Sequence, residues 1–273
     1  MTKILNGSEL VGYIKERQAR QVRALRQSSH IAPRLVIIKS KSASSVIDTY
    51  VRIKQQYGDD ILIETDIETP DQPDMIAAIK RLNEDASVYG IIVQLPLENP
   101  DETDEIVGSI APEKDVDGLG PKAHFDSATA KAINWLLAGY AVDLKDKKIT
   151  IVGNGRLVGA PLAHMWRESG FDVTVLTRDT DDIATVLKQS DVIVTATGVP
   201  HLVTSEMIPI GSTVVDAGTA SEGGVIVGDI DEAVRLRDDL TITPEKGGVG
   251  PLTVAALFDN VITAAQTAEN RLL

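Results

Sequence analysis

The sequence contains no cysteine. That absence excludes disulfides, thiolate zinc sites, iron–sulfur clusters and a cysteine nucleophile, and it leaves the compartment open. Aromatic residues make up only 4% of the 273 positions, and the four histidines are scattered. There is no HExxH, GxSxG or Walker loop, so metal hydrolase, serine hydrolase and phosphoryl-transfer readings lack their residues, and no metal site is expected. Positive charge is scarce: 27 Lys and Arg stand against 40 Asp and Glu, a formal net charge of -13. A field of that sign repels phosphate backbones and anionic lipid, so neither nucleic acid nor a membrane surface is an expected partner. No run approaches the ~18 apolar residues of a membrane span. The opening MTKILNGSELVGYIKER meets Glu9 and Lys15 before an apolar leader core develops, which makes a cytoplasmic soluble protein the expectation.

What is present suits a globular α/β protein of two lobes, with 43% hydrophobic and 25% charged residues and no repeat or low-complexity tract. After an amphipathic helix over about Ser8 to Arg26, short β-branched runs alternate with helical patterns: RLVIIKS, SSVIDTYVRIKQQYG, DILIETDI, PDMIAAIKRLNEDA and YGIIVQLPL. This βαβαβ rhythm predicts a parallel sheet covered on both faces, because parallel strands need crossovers that are usually helices. A Gly, Pro and Asp-rich stretch from Pro112 to Pro121 leads to a connector helix, SATAKAINWLLAGY. The pattern then restarts with KKITIVG, PLAHMWRESG, FDVTVLT, DIATVLKQ, DVIVTAT and STVVDAG, followed by a hairpin piece GGVIVGD and LTITP. The last segment, from Pro251, reads as a helix with proline in its first turn, where a missing N–H costs little.

Between the strand ITIVG and the next helix stands Gly153-Asn154-Gly155-Arg156-Leu157-Val158-Gly159. Gly153 and Gly155 allow a tight turn and close approach of backbone to phosphate, while Gly159 lets the helix pack near the strand, as in a dinucleotide site. An ordinary βα turn is the plainer alternative. After the following strand an NAD enzyme typically carries an acidic residue for the ribose 2′-hydroxyl, whereas this chain has Thr177-Arg178-Asp179. A guanidinium suits a 2′-phosphate, so NADP is favoured over NAD.

In the first half Tyr50 and Lys54 are spaced i, i+4 on the helix after RLVIIKS, near the strand edge where open α/β sheets bind ligands. A partly buried lysine can transfer protons and a tyrosine can stack on a flat heterocycle, although such a pair also occurs on solvated helix faces. Gln94, in the otherwise apolar VQLPL, and Asp115 and Asp117, in KDVDG, gather at equivalent strand ends. Alone, each also fits a capping amide or an Asp-Gly turn.

Five ordered segments resemble the bifunctional methylenetetrahydrofolate dehydrogenase/methenyltetrahydrofolate cyclohydrolase family. They are Tyr50-Val51-x-x-Lys54, Gly90-Ile91-Ile92-Val93-Gln94-Leu95-Pro96-Leu97, Lys114-Asp115-Val116-Asp117-Gly118, Val158-Gly159-Ala160-Pro161, and Thr243-Pro244-x-x-Gly247-Gly248-Val249-Gly250-Pro251-Leu252-Thr253. The resemblance implies an N-terminal catalytic lobe over residues 1–125, joined by the C-terminal helix 251–273, and a connector helix plus Rossmann-type NADP-binding lobe over 126–250, with a cleft between the lobes. It implies oxidation of 5,10-methylenetetrahydrofolate with NADP and hydrolysis of the methenyl product to 10-formyltetrahydrofolate, in the one-carbon metabolism that serves purine biosynthesis. Lys54 would carry proton transfer, Gln94 would tune and orient it, Tyr50 would stack along the folate, and Asp117 would grip the pterin's amino-pyrimidine edge. Val93, Leu95, Pro96, Gly248, Pro251 and Thr253 would complete the substrate site. Gly153, Asn154, Gly155, Arg156, Val158, Gly159, Thr177, Arg178, Thr197, Gly198 and Gly218 would hold the nucleotide. A homodimer through the nucleotide lobe is implied as well.

The chain departs from the family pattern in places. Gly153-Asn154-Gly155 replaces the usual Gly-Arg-Ser, leaving Arg156 or Arg178 to meet a 2′-phosphate. Ile47 replaces a serine before the tyrosine, Thr177-Arg178 a His-Ser pair, and Ser127-Ala128-Thr129-Ala130 a Pro-Cys-Thr-Pro; GPKAHFDS is shorter than usual. Three rivals stay open: a family member that lost the cyclohydrolase, one that uses NAD, and a catalytically silent nucleotide-binding protein on the same fold.

Overall fold

The computed structural model describes residues 3–42, 45–222 and 225–270. Ser44 of the second expected helix, Gly223 and Gly224 of the hairpin piece, residues 271–273 of the last helix and residues 1–2 lie outside the described residues. The chain divides into two compact units: residues 12–128 with 254–273, and residues 1–11 with 129–253.

The first unit is built on a three-stranded parallel sheet, β2 (Arg34–Ile38), β3 (Glu64–Glu68) and β4 (Gly90–Val93), with β2 in the middle. Helix α1 (Gly7–Ser28) runs into it, α2 (Ser45–Ile61) connects β2 to β3, α3 (Met75–Glu84) connects β3 to β4, and α4 (Thr103–Gly108) follows. The central strand RLVII and the strand GIIV are almost wholly buried, as β-branched runs in a sheet covered on both faces must be. Val36, Ile38, Met75, Ile79, Leu82 and Ile91 form the centre of the core on one face. Helix α9 (Val249–Asn270) completes the unit from the far end of the sequence, burying Phe258 against Tyr57 with ring centroids 5.2 Å apart.

The second unit carries a six-stranded, all-parallel sheet. Its order is β1 (Lys3–Ile4), β11 (Thr241–Ile242), β8 (Thr213–Asp216), β7 (Val192–Thr195), β5 (Ile149–Val152) and β6 (Val173–Leu176). Helices α5 (Ala128–Gly139), α6 (Gly159–Glu168), α7 (Ile183–Leu187) and α8 (Glu232–Arg235) accompany it, and β9 (Ala220–Glu222) pairs antiparallel with β10 (Val225–Val227). The expected hairpin piece is this ribbon.

Three features differ from the sequence reading. The run DILIETDI is not one strand: α2 continues to Ile61, and β3 starts only at Glu64. Leu62 ends the helix with φ +68°, and the Ile63 N–H closes back on the Gly58 carbonyl at 2.8 Å. An apolar residue in that left-handed conformation is uncommon, so nothing in the sequence marks the stop. The first eleven residues belong with the six-stranded sheet rather than with the expected 1–125 lobe, because β1 finds its partner in β11. The last helix starts at Val249, two residues before Pro251, which still lies in the first turn.

Candidate active site

In the three-stranded sheet β2 lies between β3 and β4, and in the six-stranded sheet β5 lies between β6 and β7. Successive crossovers therefore leave each central strand in opposite directions, and the carboxyl ends of the diverging strands border a topological switch point. In the three-stranded sheet that point falls between β2 and β4. Gln94 follows β4 directly, and its backbone N–H donates to the Ile38 carbonyl at 2.7 Å, which fixes the residue at the switch. Its side-chain Oε1 accepts a 2.7 Å hydrogen bond from Lys54 Nζ, and its Nε2 donates to the Leu95 carbonyl at 3.2 Å. Lys54 reaches this position from the middle of α2, and Tyr50, one turn earlier on the same helix, is exposed.

Lys54 is half-buried, and the loss of water around it lowers its pKa from the usual lysine value, opposed by the negative charge of Asp117. Burial raises the carboxyl of Asp117, with Lys54 opposing. The expected trio of Lys54, Gln94 and Asp117 thus comes together, one lysine linked by a hydrogen bond to an amide and by charge to a carboxylate. Val93 is buried in the core, so only its backbone is available beside the site, whereas Leu95 is half-buried and Pro96, joined to it by a cis peptide, is exposed.

Neighbouring charged residues of KDVDG have a different use. Asp115 is 1% exposed and accepts hydrogen bonds from the backbone N–H groups of Gly118 (3.1 Å) and Gly120 (2.7 Å), with its pKa raised to about 6 chiefly by burial. Lys114 Nζ donates to the carbonyls of Leu82, Asn83 and Asp85 at the end of α3. Both residues build the loop that carries Asp117.

The remaining substrate candidates belong to the six-stranded unit. Gly248 is buried, and Pro251 and Thr253 are half-buried in the first turns of α9, where the Thr253 hydroxyl donates to the Val249 carbonyl at 3.3 Å. Their assignment to substrate rests on the resemblance alone.

The six-stranded sheet gathers every nucleotide candidate at one edge. Gly153 follows β5 with φ +105°, and a Cβ there would lie 2.5 Å from the Ala196 carbonyl oxygen. A Cβ on Gly159 would fall inside the Gly153 carbonyl, so helix α6 packs against the loop only as glycine. Gly155 is different, since its Cβ would meet nothing closer than 3.9 Å. Asn154, Gly155 and Arg156 are exposed, and Val158 is half-buried at the start of α6. This is a cradle of open backbone at a helix N-terminus beside the β5–β7 switch point, and it fits a dinucleotide pyrophosphate. Thr177 and Arg178 are exposed just past β6, in a turn where the Thr177 N–H donates to Thr180 Oγ1 at 3.0 Å. Thr197 and Gly198 follow β7, and Gly218 follows β8.

Sequence reasoning missed the polar support behind these loops. Asp216, ion-paired with Arg235 at 2.8 Å, accepts from Thr195 Oγ1 and from the N–H groups of Gly218 and Asp229. Asp229, fully buried, accepts from the Thr197 N–H at 2.6 Å, and burial raises its pKa. A Cβ on Gly218 would collide with Asp229, so this glycine is required by packing as well as position. Acidic residues after β-branched runs were the available signal.

Comparison with known proteins points the same way. Residues 5–117 match the family described as tetrahydrofolate dehydrogenase/cyclohydrolase, catalytic domain, and residues 127–269 match its NAD(P)-binding domain. The chain is 34% identical to the bifunctional protein FolD of Halothermothrix orenii, covering 97% of this chain and 98% of that one. A crystal structure of the bifunctional FolD enzyme of Campylobacter jejuni superposes with a TM-score of 0.91 at 34% identity, over 98% of this chain and 100% of that one. The Trypanosoma brucei dehydrogenase-cyclohydrolase, solved with NADP cofactor and an inhibitor, gives 0.90 at 29% identity over 98% of each chain. Among the described residues no helix is long and apolar enough to cross a membrane, and no group of His, Cys, Asp and Glu could hold a metal ion.

Proposed function

Since the chain belongs to the tetrahydrofolate dehydrogenase/cyclohydrolase family, we propose that it oxidises 5,10-methylenetetrahydrofolate with NADP and hydrolyses the methenyl product to 10-formyltetrahydrofolate. The observation that carries the reading is the 2.7 Å hydrogen bond from Lys54 to Gln94 at a sheet switch point, with Asp117 electrostatically coupled to the same lysine. Bound NADP would supply the acceptor for the hydride of the methylene carbon. Gly153, Asn154, Gly155, Val158 and Gly159 would hold its pyrophosphate, Thr197, Gly198 and Gly218 would border it, and Arg156, Thr177 and Arg178 would face the 2′-phosphate.

The residues around Lys54 suit the second step. The methenyl product is a cation, which disfavours a charged amine nearby and adds to the burial that already favours neutral Lys54. The neutral amine donates one hydrogen to Gln94 and keeps its lone pair for a proton. Water bonds to the methenyl carbon and loses a proton to Lys54. The bond from that carbon to one ring nitrogen then breaks, and the proton passes from Lys54 to this nitrogen. The hydroxyl left by the water gives its own proton to Lys54 as the formyl carbonyl forms, so one proton is released to solvent overall. Asp117 accepts hydrogen bonds from the pterin's amino-pyrimidine edge, Tyr50 stacks on the folate, and Val93, Leu95 and Pro96 line it.

Purified protein given methylenetetrahydrofolate with NADP, then with NAD, followed by methenyltetrahydrofolate without nucleotide, tests the reading. Reduction of NADP together with accelerated methenyl decay is expected. Failure of both steps overturns it, and preference for NAD overturns the cofactor assignment. We propose also that the protein is cytoplasmic and that two copies pair through the nucleotide-binding unit. The resemblance supports the pairing, as does the β9–β10 ribbon, which among the described residues joins neither sheet. Sedimentation at micromolar concentration as a single-chain species would overturn it.

A further inference from the structure

Asp117 lies on an irregular segment between the β4 region and α5, and a residue from the far end of the chain closes that segment's neck. Asn260 is 2% exposed in the middle of α9, and its Nδ2 donates to the carbonyls of Val116 (2.9 Å) and Asp126 (3.1 Å). One amide therefore uses both of its hydrogens to join the entry and the exit of the loop. The two ends also meet without it. The Ala128 N–H donates to the Asp117 carbonyl at 3.2 Å, and Gly118, at φ +68°, approaches so closely that a Cβ would lie 2.6 Å from the Phe125 carbonyl oxygen. The segment is thus an Ω-like loop with a narrow neck, and Asp117 sits in the neck beside Val116. Asparagine is a poor choice for a helix interior on propensity grounds, so its place here is explained by these two contacts.

We propose that Asn260 is a positioning residue, which by holding the neck of this loop sets where the Asp117 carboxylate stands against Lys54 and the substrate. The inference rests on the roles given to Asp117 and Lys54 above. Asn260 touches no reacting atom. Its effect travels through one peptide bond, from the Val116 carbonyl to Asp117, and then through charge.

Asn260→Leu keeps the branching and the heavy-atom count of the side chain and removes both donors. Its expected signature is a rise of about tenfold in the KM for the folate. The pH profile of methenyl hydrolysis should also shift to lower pH, because an Asp117 moved away no longer favours protonated Lys54. NADPH binding should be unchanged. Asp117→Asn should shift the profile in the same direction, and the double variant should shift it no further, since both changes remove one interaction. An Asn260→Leu profile that overlays the wild type, or two shifts that add, would overturn the proposal. If Asn260→Leu does not fold, Asn260→Ser, whose hydroxyl can serve only one carbonyl, should give a smaller acid shift, and an unchanged profile there counts against the proposal equally. The wild type separates the two readings: an inactive wild type overturns the functional assignment and this one with it, whereas an active wild type with an unmoved variant overturns this one alone.

Discussion

Lys54 concentrates the chemistry because its surroundings make the neutral amine accessible at lower pH than in water. Hydrolysis should therefore rise as pH increases through the lowered lysine pKa, and Lys54→Ala should reduce it by about 10²- to 10⁴-fold while NADPH binding persists, as a methenyl-decay assay and a fluorescence titration would show. Asp115, two residues before Asp117 and more deeply buried, serves the backbone. Folding raises its pKa from 3.8 to about 6, so the folded state binds a proton more tightly, and its contribution is greatest in acid and is lost as pH rises through that value. Thermal melts should show the wild type gaining about 2 kcal/mol relative to Asp115→Asn between pH 7 and pH 4. The motifs made Lys54, Gln94 and Asp117 legible in the sequence. They left Asp115 ambiguous, because the same KDVDG spelling suits a ligand or a turn until the partners are seen.

Two glycines a short distance apart in the nucleotide loop make opposite predictions. Gly159→Ala places a methyl group inside the Gly153 carbonyl and should loosen the packing of α6 on β5, lowering both stability and NADP affinity. Gly155→Ala has room in the protein, so its melting temperature should stay near that of the wild type while NADP affinity falls about tenfold, the new methyl occupying space meant for phosphate. Calorimetric titration and melting curves on both variants check the contrast. Long periodic elements such as α1, α2 and α9 were readable from the sequence because periodicity needs length. The two-residue strands β1 and β11 are too short to alternate, and β1 could not be read without its partner. The boundary near Leu62 was hidden for another reason, since its turn uses an apolar residue with positive φ.

At the scale of the molecule, the doubly wound pattern was legible because strand and helix patterns alternate twice. Residues 1–11 belong to the unit built mostly from the second half, and α9 belongs mostly to the unit built from the first. Within the three-stranded unit, α9 buries Leu257, Phe258, Val261 and Ile262 and takes a hydrogen bond from Gln18 at the Ala255 carbonyl. A chain ending at Thr253 should lose the cooperative melting transition of that unit and its folate binding, and retain NADPH binding by the six-stranded unit, as circular dichroism and fluorescence would report. The crossing of the two ends also bears on how the protein is made. Strand β1 must wait for β11, which follows only at Thr241, and the three-stranded sheet, complete at Val93, must wait for α9, which begins only at Val249. At roughly 5 to 20 residues per second of synthesis, each half spends many seconds with an open flank, so nascent chains of this protein should depend on chaperones that shield apolar surface until the last helix emerges.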